Sequence, residues 1–311
     1  MKTCLVTGGA GFIGSHLVES LLKDYKVVCI DNLSTGSENN IKDFFGNNNF
    51  EFMKHDTKEP LNIKDSVDYI FHLASRASPI DFPEHPVDIL MSNSLGLYNI
   101  LNLAKEKKAR FLFASSSEVY GEPLQHPQNE SYWGNVNSVG IRSCYDEGKR
   151  FGEALVMSFY RKYNLDVRIA RIFNTYGPRM RKDDGRVIPN FVTQALSNKP
   201  ITVYGSGKQT RSFCYVYDMI ECLKKLMFTA NINEKIFNIG NDNSEINVLE
   251  VAKMIKELAK SNSNIVFKPL PKDDPTRRKP DITKSRELLG WEPKVNFEEG
   301  LAKTIDWFKG M

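Results

Sequence analysis

Tyr145 and Lys149 stand four residues apart in Ser143-Cys144-Tyr145-Asp146-Glu147-Gly148-Lys149. On a helix that spacing puts both side chains on one face, about a turn apart. A fixed ammonium beside a phenol favours phenolate and draws a reference pKa of ~10 towards neutrality. A phenolate can take the proton of a sugar hydroxyl. Upstream, the apolar run Phe111-Leu112-Phe113 opens into Ala114-Ser115-Ser116-Ser117-Glu118-Val119-Tyr120-Gly121, so Ser116 at a strand end can hold the same hydroxyl. Together these groups suit the oxidation of an alcohol by hydride loss. A Tyr-x-x-x-Lys pair alone carries little weight, because helices often bear such pairs for solubility. It acquires meaning only if the chain also binds a dinucleotide.

The first residues supply that site. Lys2 to Thr7 reads as a short buried strand. It runs into Gly8-Gly9-Ala10-Gly11-Phe12-Ile13-Gly14 and then a helix expected to reach about Lys23. Glycines in a strand–turn–helix context allow a tight turn, close approach to a pyrophosphate and close helix–strand packing. Gly8, Gly11 and Gly14, with Phe12 and Ile13 between them, are therefore candidate dinucleotide contacts. A second strand, Val27 to Ile30, ends at Asp31, whose carboxylate suits the adenine ribose and repels a 2′-phosphate. No arginine follows among Asn32 to Gly36, so the expected cofactor is NAD rather than NADP. Asn32, Ser34, Thr35 and Gly36 are candidate contacts in that turn. Asp56 and Thr57 follow a third strand (Phe50 to Met53), and Asp56 is expected near the adenine. Leu73 and Ser75 follow a fourth strand (Tyr69 to Leu73), where ligands meet such sheets. His72 reads as a satisfied core histidine.

The remaining chain supports these elements. A long helical stretch is expected from about Val87 to Lys107, and the Tyr145 helix to about Tyr163. A sixth strand spans Asp166 to Ile172. The βα alternation argues for an α/β fold with a doubly wound parallel sheet of the Rossmann kind. Residues 1–173 form the dinucleotide-binding domain, to which 212–240 are expected to return. Residues 174–311 form a smaller, mixed domain, mainly for the substrate. There Thr202 to Arg211 reads as a turn with an exposed arginine, and Ile236 to Ile239 as a strand able to rejoin the first sheet.

Composition narrows the partners. The chain has 311 residues and a net charge of +4, which suits a small anionic substrate, and no basic block suggests nucleic acid. Its five cysteines (Cys4, Cys29, Cys144, Cys214, Cys222) are scattered and form no C-x-x-C pair, so reduced thiols in the cytoplasm are expected. The five histidines are equally dispersed, and no metal is expected. No apolar run approaches ~18 residues, so neither a signal peptide nor a membrane span is indicated.

With these residues in place, the whole chain resembles the extended short-chain dehydrogenase/reductase family, and within it the UDP-glucuronic acid decarboxylases (UDP-xylose synthases). The resemblance is carried by Ser117-Glu118-Val119-Tyr120-Gly121, by Arg142 to Arg150, by Ala170 to Met180, by Val203 to Gly207 with Gln209-Thr210-Arg211, and by Arg278-Lys279-Pro280-Asp281. It implies a catalytic set of Ser116, Glu118, Tyr145, Lys149 and Arg278. It also assigns Ser117, Asn174, Arg186, Tyr204, Gln209 and Arg211 to a UDP-sugar, and it implies a homodimer through a four-helix bundle. Glu118 is expected to orient the sugar or the first proton transfer. Arg278 is expected near the carboxylate or C5, or alternatively as a diphosphate anchor. Two positions depart from the decarboxylase pattern: Arg76 stands where a proline is usual, and Met91 where a substrate-contacting lysine is usual. Arg76 either supplies the missing charge to the substrate or is a solvated loop arginine, with Met91 packing on its helix.

The expected reaction is decarboxylation of UDP-glucuronate to UDP-xylose. The alternatives are another NAD-dependent 4-epimerisation or 4,6-dehydration, or a non-catalytic NAD-binding sensor. Ser117 in place of the dehydratase aspartate, Glu118 in place of the small residue of epimerases, and the intact Ser116/Tyr145/Lys149 set weigh against these three.

Overall fold

Short apolar runs punctuated by polar turns become seven strands of one parallel sheet in the computed structural model, which describes residues 1–311. They are β1 (Thr3–Thr7), β2 (Lys26–Asp31), β3 (Phe50–Lys54), β4 (Tyr69–His72), β5 (Arg110–Ser116), β6 (Val167–Ile172) and the strand Lys235–Ile239. Their spatial order is β3-β2-β1-β4-β5-β6 with Lys235–Ile239 outermost, and every neighbour is parallel. A parallel sheet is covered on both faces, which is why β1 is buried at all five positions. The chain reverses direction of travel between β1 and β4, and the crevice at their carboxyl ends is the ligand position of such sheets.

Helices cover the two faces as two separate cores. The helices introduced in order are α1 (Phe12–Leu21), α2 (Asp81–Glu84), α3 (Pro86–Met91), α4 (Leu97–Lys107), α5 (Ser143–Tyr163), α6 (Val187–Leu196) and α7 (Val216–Phe228). On one face Leu17, Val18 and Leu21 of α1 meet Met219 and Leu223 of α7. On the other, Leu97 and Leu101 of α4 meet Val156 and Phe159 of α5 over Phe111 and Phe113. The helix expected from Val87 to Lys107 is interrupted by a π-helical turn at Ser92–Gly96. There Asn93 Nδ2 donates both to Ile89 O at 2.9 Å and to Ser75 Oγ at 3.0 Å, tying the widened turn to the loop after β4. The first helix stops at Leu21, short of the expected Lys23.

The second wall of the crevice comes from smaller sheets. Thr210–Ser212 lies between an antiparallel strand, Glu245–Asn247, and a parallel one, Arg277–Arg278. Ile201–Tyr204 pairs with Ile265–Lys268. The reading of Thr202 to Arg211 as a turn with an exposed arginine is therefore corrected. Two strands occupy the segment, and Arg211, facing Arg278 in register, is buried. A ten-residue window shows no long-range pairing, which is what removes that arginine from solvent. No helix is long and apolar enough to cross a membrane.

Candidate active site

The glycine loop closes one end of the crevice by leaving no room for side chains. Gly8 has φ +71°, and a Cβ there would lie 2.9 Å from Ala74 N. A Cβ on Gly14 would lie 2.0 Å from Gly8 O, so only glycine lets α1 start this close to β1. Asp31, at the end of β2, accepts from Ala10 N at 3.0 Å and Leu33 N at 2.8 Å, using one lone pair on each oxygen. Burial pushes its carboxyl up while these two amides pull it down. Asn32 Nδ2 donates to Asp56 at 3.0 Å, which joins the turns after β2 and β3. Phe12, Ile13, Ser34, Thr35, Thr57, Leu73 and Ser75 line the same stretch, as do Gly11 and Gly14. Gly36 does not. It lies against Asp31, where a Cβ would come 2.8 Å from the carboxylate, so a glycine there leaves that side chain its position.

The chemical groups sit midway along the cleft, whose volume of about 390 Å³ is within the range of small-molecule sites. Helix α5 buries Tyr145, Lys149 and Glu153 at four-residue spacing, and Asn164 in the left-handed region ends it. Gly152 lets α5 approach β5, since a Cβ would meet Phe113 at 2.5 Å. That approach brings Lys149 Nζ to Ala114 O at 2.9 Å and to 5.6 Å from the Tyr145 ring centre. Burial pushes the Lys149 ammonium down to about 7. Burial also pushes the Tyr145 phenol up to about 12, with the Ser116 hydroxyl pulling the other way. Both groups are desolvated in this packing, which opposes the expected pull of the Lys149 ammonium on the phenol. Tyr145 stacks on Phe82 with ring centres 5.3 Å apart, a partner that α2 supplies and sequence spacing did not suggest.

At the far end, side chains from separate segments form an ionic cluster. Ser116 caps a 3₁₀ turn, Ser117–Tyr120, by accepting from Glu118 N at 3.2 Å. The turn projects Glu118 towards Arg142, whose Nη2 donates to it at 2.6 Å, and Arg278, at 3.4 Å. Burial pushes the Glu118 carboxyl up, but Arg278 and Arg142 overcome it and hold the group at about 2. Arg211 Nη2 donates to Asp274 at 3.0 Å. Ser117, Asn174, Arg186, Tyr204, Gln209 and Arg211 all line this end, and Arg186 is held in a fork by Asp184. Arg278 does not line it. Only 1% exposed, it stands behind Glu118, one residue removed from the cleft surface.

Arg142 and Asp274 line the cleft and were not singled out from the sequence. Arg142 lies one helical turn before Tyr145 within the matched segment, which is the signal that was present. Arg76 also lines the cleft, with Nε 3.2 Å from Asp88 and Nη1 3.8 Å from Asp81. Met91 is 39% exposed and lies outside the cleft lining. His72 is buried, with Nδ1 2.8 Å from Thr7 Oγ1.

A dinucleotide cradle at a sheet crossover, beside a serine, tyrosine and lysine, defines an NAD-dependent enzyme of the extended short-chain dehydrogenase/reductase class. The residues fit that cofactor: the glycine loop leaves backbone open to a pyrophosphate, and Asp31 keeps lone pairs for a ribose. Residues 5–304 match the family described as GDP-mannose 4,6 dehydratase, and the chain belongs to that family. UDP-glucuronic acid decarboxylase 2 of Arabidopsis thaliana is 54% identical over 306 residues, covering 98% of this chain and 68% of its own. UDP-glucuronic acid decarboxylase 1 of Danio rerio is 51% identical over 308 residues, covering 99% and 72%. The crystal structure of UDP-glucuronic acid 4-epimerase from Bacillus cereus, in complex with UDP-glucuronic acid and NAD, is 30% identical. It superposes with a TM-score of 0.90 and 99% coverage of both chains.

Proposed function

We propose that this protein decarboxylates UDP-glucuronate to UDP-xylose through a 4-keto intermediate, with NAD recycled in each turnover. The pairing of Glu118 with Arg142 and Arg278, beside a serine at position 117, carries the reading. A 4,6-dehydration needs an acid for the departing hydroxyl, but Glu118 is locked as a carboxylate between Arg142 and Arg278, and its neighbour is Ser117. Loss of carbon dioxide needs no such acid. The guanidiniums of Arg142 and Arg211 in the same lining suit a C6 carboxylate. Relatives more than half identical and named as decarboxylases support the same reaction.

In this scheme Ser116 holds the C4 hydroxyl and Tyr145 takes its proton. Held at the glycine loop and Asp31, NAD would supply the hydride-acceptor chemistry that C4 oxidation needs. Once C4 is a ketone, the C6 carboxylate belongs to a β-keto acid. The C5–C6 bond breaks, its electron pair drains towards the C4 oxygen, and an ordered water protonates C5. Tyr145 then gives its proton back to the C4 oxygen as hydride returns. Arg278, with a pKa far above neutrality in any ordinary setting, serves by fixing Glu118 rather than by donating a proton.

Exposed Val87 and Leu90 on α3, Leu95 in the π-helical turn and Tyr98 on α4, with Phe151 on α5, support a homodimer built as a four-helix bundle. All five cysteines are free and buried, which fits a reducing, cytoplasmic setting. The residue ranges 1–173 with 212–240, and 174–311, are read as the NAD-binding and UDP-sugar-binding domains. Incubation with NAD and UDP-glucuronate, followed by mass spectrometry, tests the reaction. A product lighter by carbon dioxide is expected. An unchanged mass with inverted C4, or loss of water, would establish epimerisation or dehydration in its place.

A further inference from the structure

Apart from the closed Arg186–Asp184 pair, three guanidiniums and three carboxyls cluster around Glu118, and their pairing is uneven. Glu118 receives Arg142 at 2.6 Å and Arg278 at 3.4 Å, and Asp274 receives Arg211 at 3.0 Å with Arg142 Nη1 at 3.9 Å. Asp146, one residue beyond Tyr145 and only 6% exposed, has nothing comparable. Its one cation within reach is Arg142 Nε at 4.0 Å, beyond hydrogen-bond distance, and both that Nε and Asp146 Oδ1 are buried without a partner. The ionisable groups facing Asp146 are Arg142, Tyr145 and Glu147 on its own helix, Glu118 on the 3₁₀ turn and Arg278 on the strand Arg277–Arg278. Burial, and then the charge of Glu118, push its carboxyl up to about 8, against the pull of Arg142 and Arg278.

We propose that Asp146 is a positioning residue that stays protonated at neutral pH and so leaves the arginine cluster one positive charge in excess, reserved for the carboxylate of a uronic acid sugar. The three arginines face the carboxylates of Glu118 and Asp274, and the sugar's carboxylate completes the balance. Ionised Asp146 would instead draw Arg142 to itself and fill the same charge deficit. Asp146 acts through Arg142, which lines the cleft, while Asp146 itself does not. The inference rests on the reading of the substrate as a uronate, and it adds what sets the preference for an acidic over a neutral sugar.

Calorimetric titration of UDP-glucuronate and UDP-glucose into the NAD-loaded protein at pH 7 and pH 9 tests it, in a Tyr145→Phe background so that nothing turns over. UDP-glucuronate affinity should fall about tenfold across that interval, the loss of protonated form for a group titrating near 8. UDP-glucose, lacking the carboxylate, controls for folding and for titration of the nucleotide, and the Asp146→Asn comparison controls for the loss of charge on Lys149. Asp146→Asn, which has the shape of the protonated acid and cannot ionise, should keep the pH 7 affinity and lose the fall. A uronate affinity independent of pH in the parent, or a fall that persists in Asp146→Asn, overturns the proposal alone. No preference for UDP-glucuronate over UDP-glucose at pH 7 overturns the uronate reading and the proposal together.

Discussion

At the dinucleotide end the ligand surface is largely backbone from one stretch, residues 8–14, with a single carboxylate, Asp31, set against it. At the sugar end it is side chains from segments as far apart as Glu118, Arg142, Arg211 and Asp274, held by charge. The first end depends on what is absent, since a Cβ at Gly14 has nowhere to go. The second depends on a balance of charges that are individually costly to bury and tolerable only together. Substitutions at the first should change cofactor affinity and choice. Substitutions at the second should change chemistry and its response to pH.

The largest expected effect is at the chemical centre between the two ends. Tyr145→Phe should lower kcat by ~10²–10⁴-fold, the usual contribution of a general base. NAD affinity, measured by titration, should hardly move. A loss below tenfold would remove Tyr145 from its assigned part, and a collapse of NAD binding would dissolve the distinction between the ends.

Lys149 offers a test through stability. Its folded-state pKa lies below the unfolded one, at about 7 against the ordinary 10.5 of a lysine. The unfolded chain therefore binds more protons between those values, and the stability Lys149 allows is complete only above the unfolded pKa, being lost as pH falls towards 7. Relative to Lys149→Met, cofactor-free wild type should gain stability from pH 7 to pH 10, by roughly a few kcal/mol. Paired denaturant titrations check this, and a pH-independent difference between the two proteins would show that burial does not lower the Lys149 pKa.

Asp31→Ala should weaken NAD binding by ~1.5–3 kcal/mol, a charge-assisted hydrogen bond, or roughly 10- to 150-fold. It should also relax discrimination against NADP, while kcat at saturating NAD stays near wild type. Equal use of both cofactors by the wild type would show that Asp31 does not exert this choice.

The smallest effect is expected at Arg76. Its guanidinium already answers to Asp88 and Asp81, so Arg76→Ala should cost less than about tenfold in kcat/KM for the sugar nucleotide, under ~1.4 kcal/mol. A larger loss in steady-state kinetics, recovered in part by Met91→Lys, would mean that Arg76 leaves those carboxylates for the substrate.

The strands β1 to β6 were legible because each is a short apolar run ended by polar or glycine-rich turns, a pattern set by local burial. The glycine loop and Asp31 were legible for a related reason: their chemistry follows from backbone geometry within one βα unit, and neighbours in sequence are neighbours in space. Tyr145 and Lys149 were legible as a pair because helical spacing is local, but their proton affinities were not. Desolvation belongs to the packed interior, and no spacing reveals that burial lifts the phenol and depresses the amine together. The π-helical turn at Ser92–Gly96 was likewise invisible, being shaped by Asn93 reaching across to Ser75. Arg278 behind Glu118, Arg142 in front of it and Arg211 buried beside Asp274 were decided wholly by tertiary structure. A charge acquires its role from what surrounds it once water is gone, and those surroundings come from segments up to 160 residues apart.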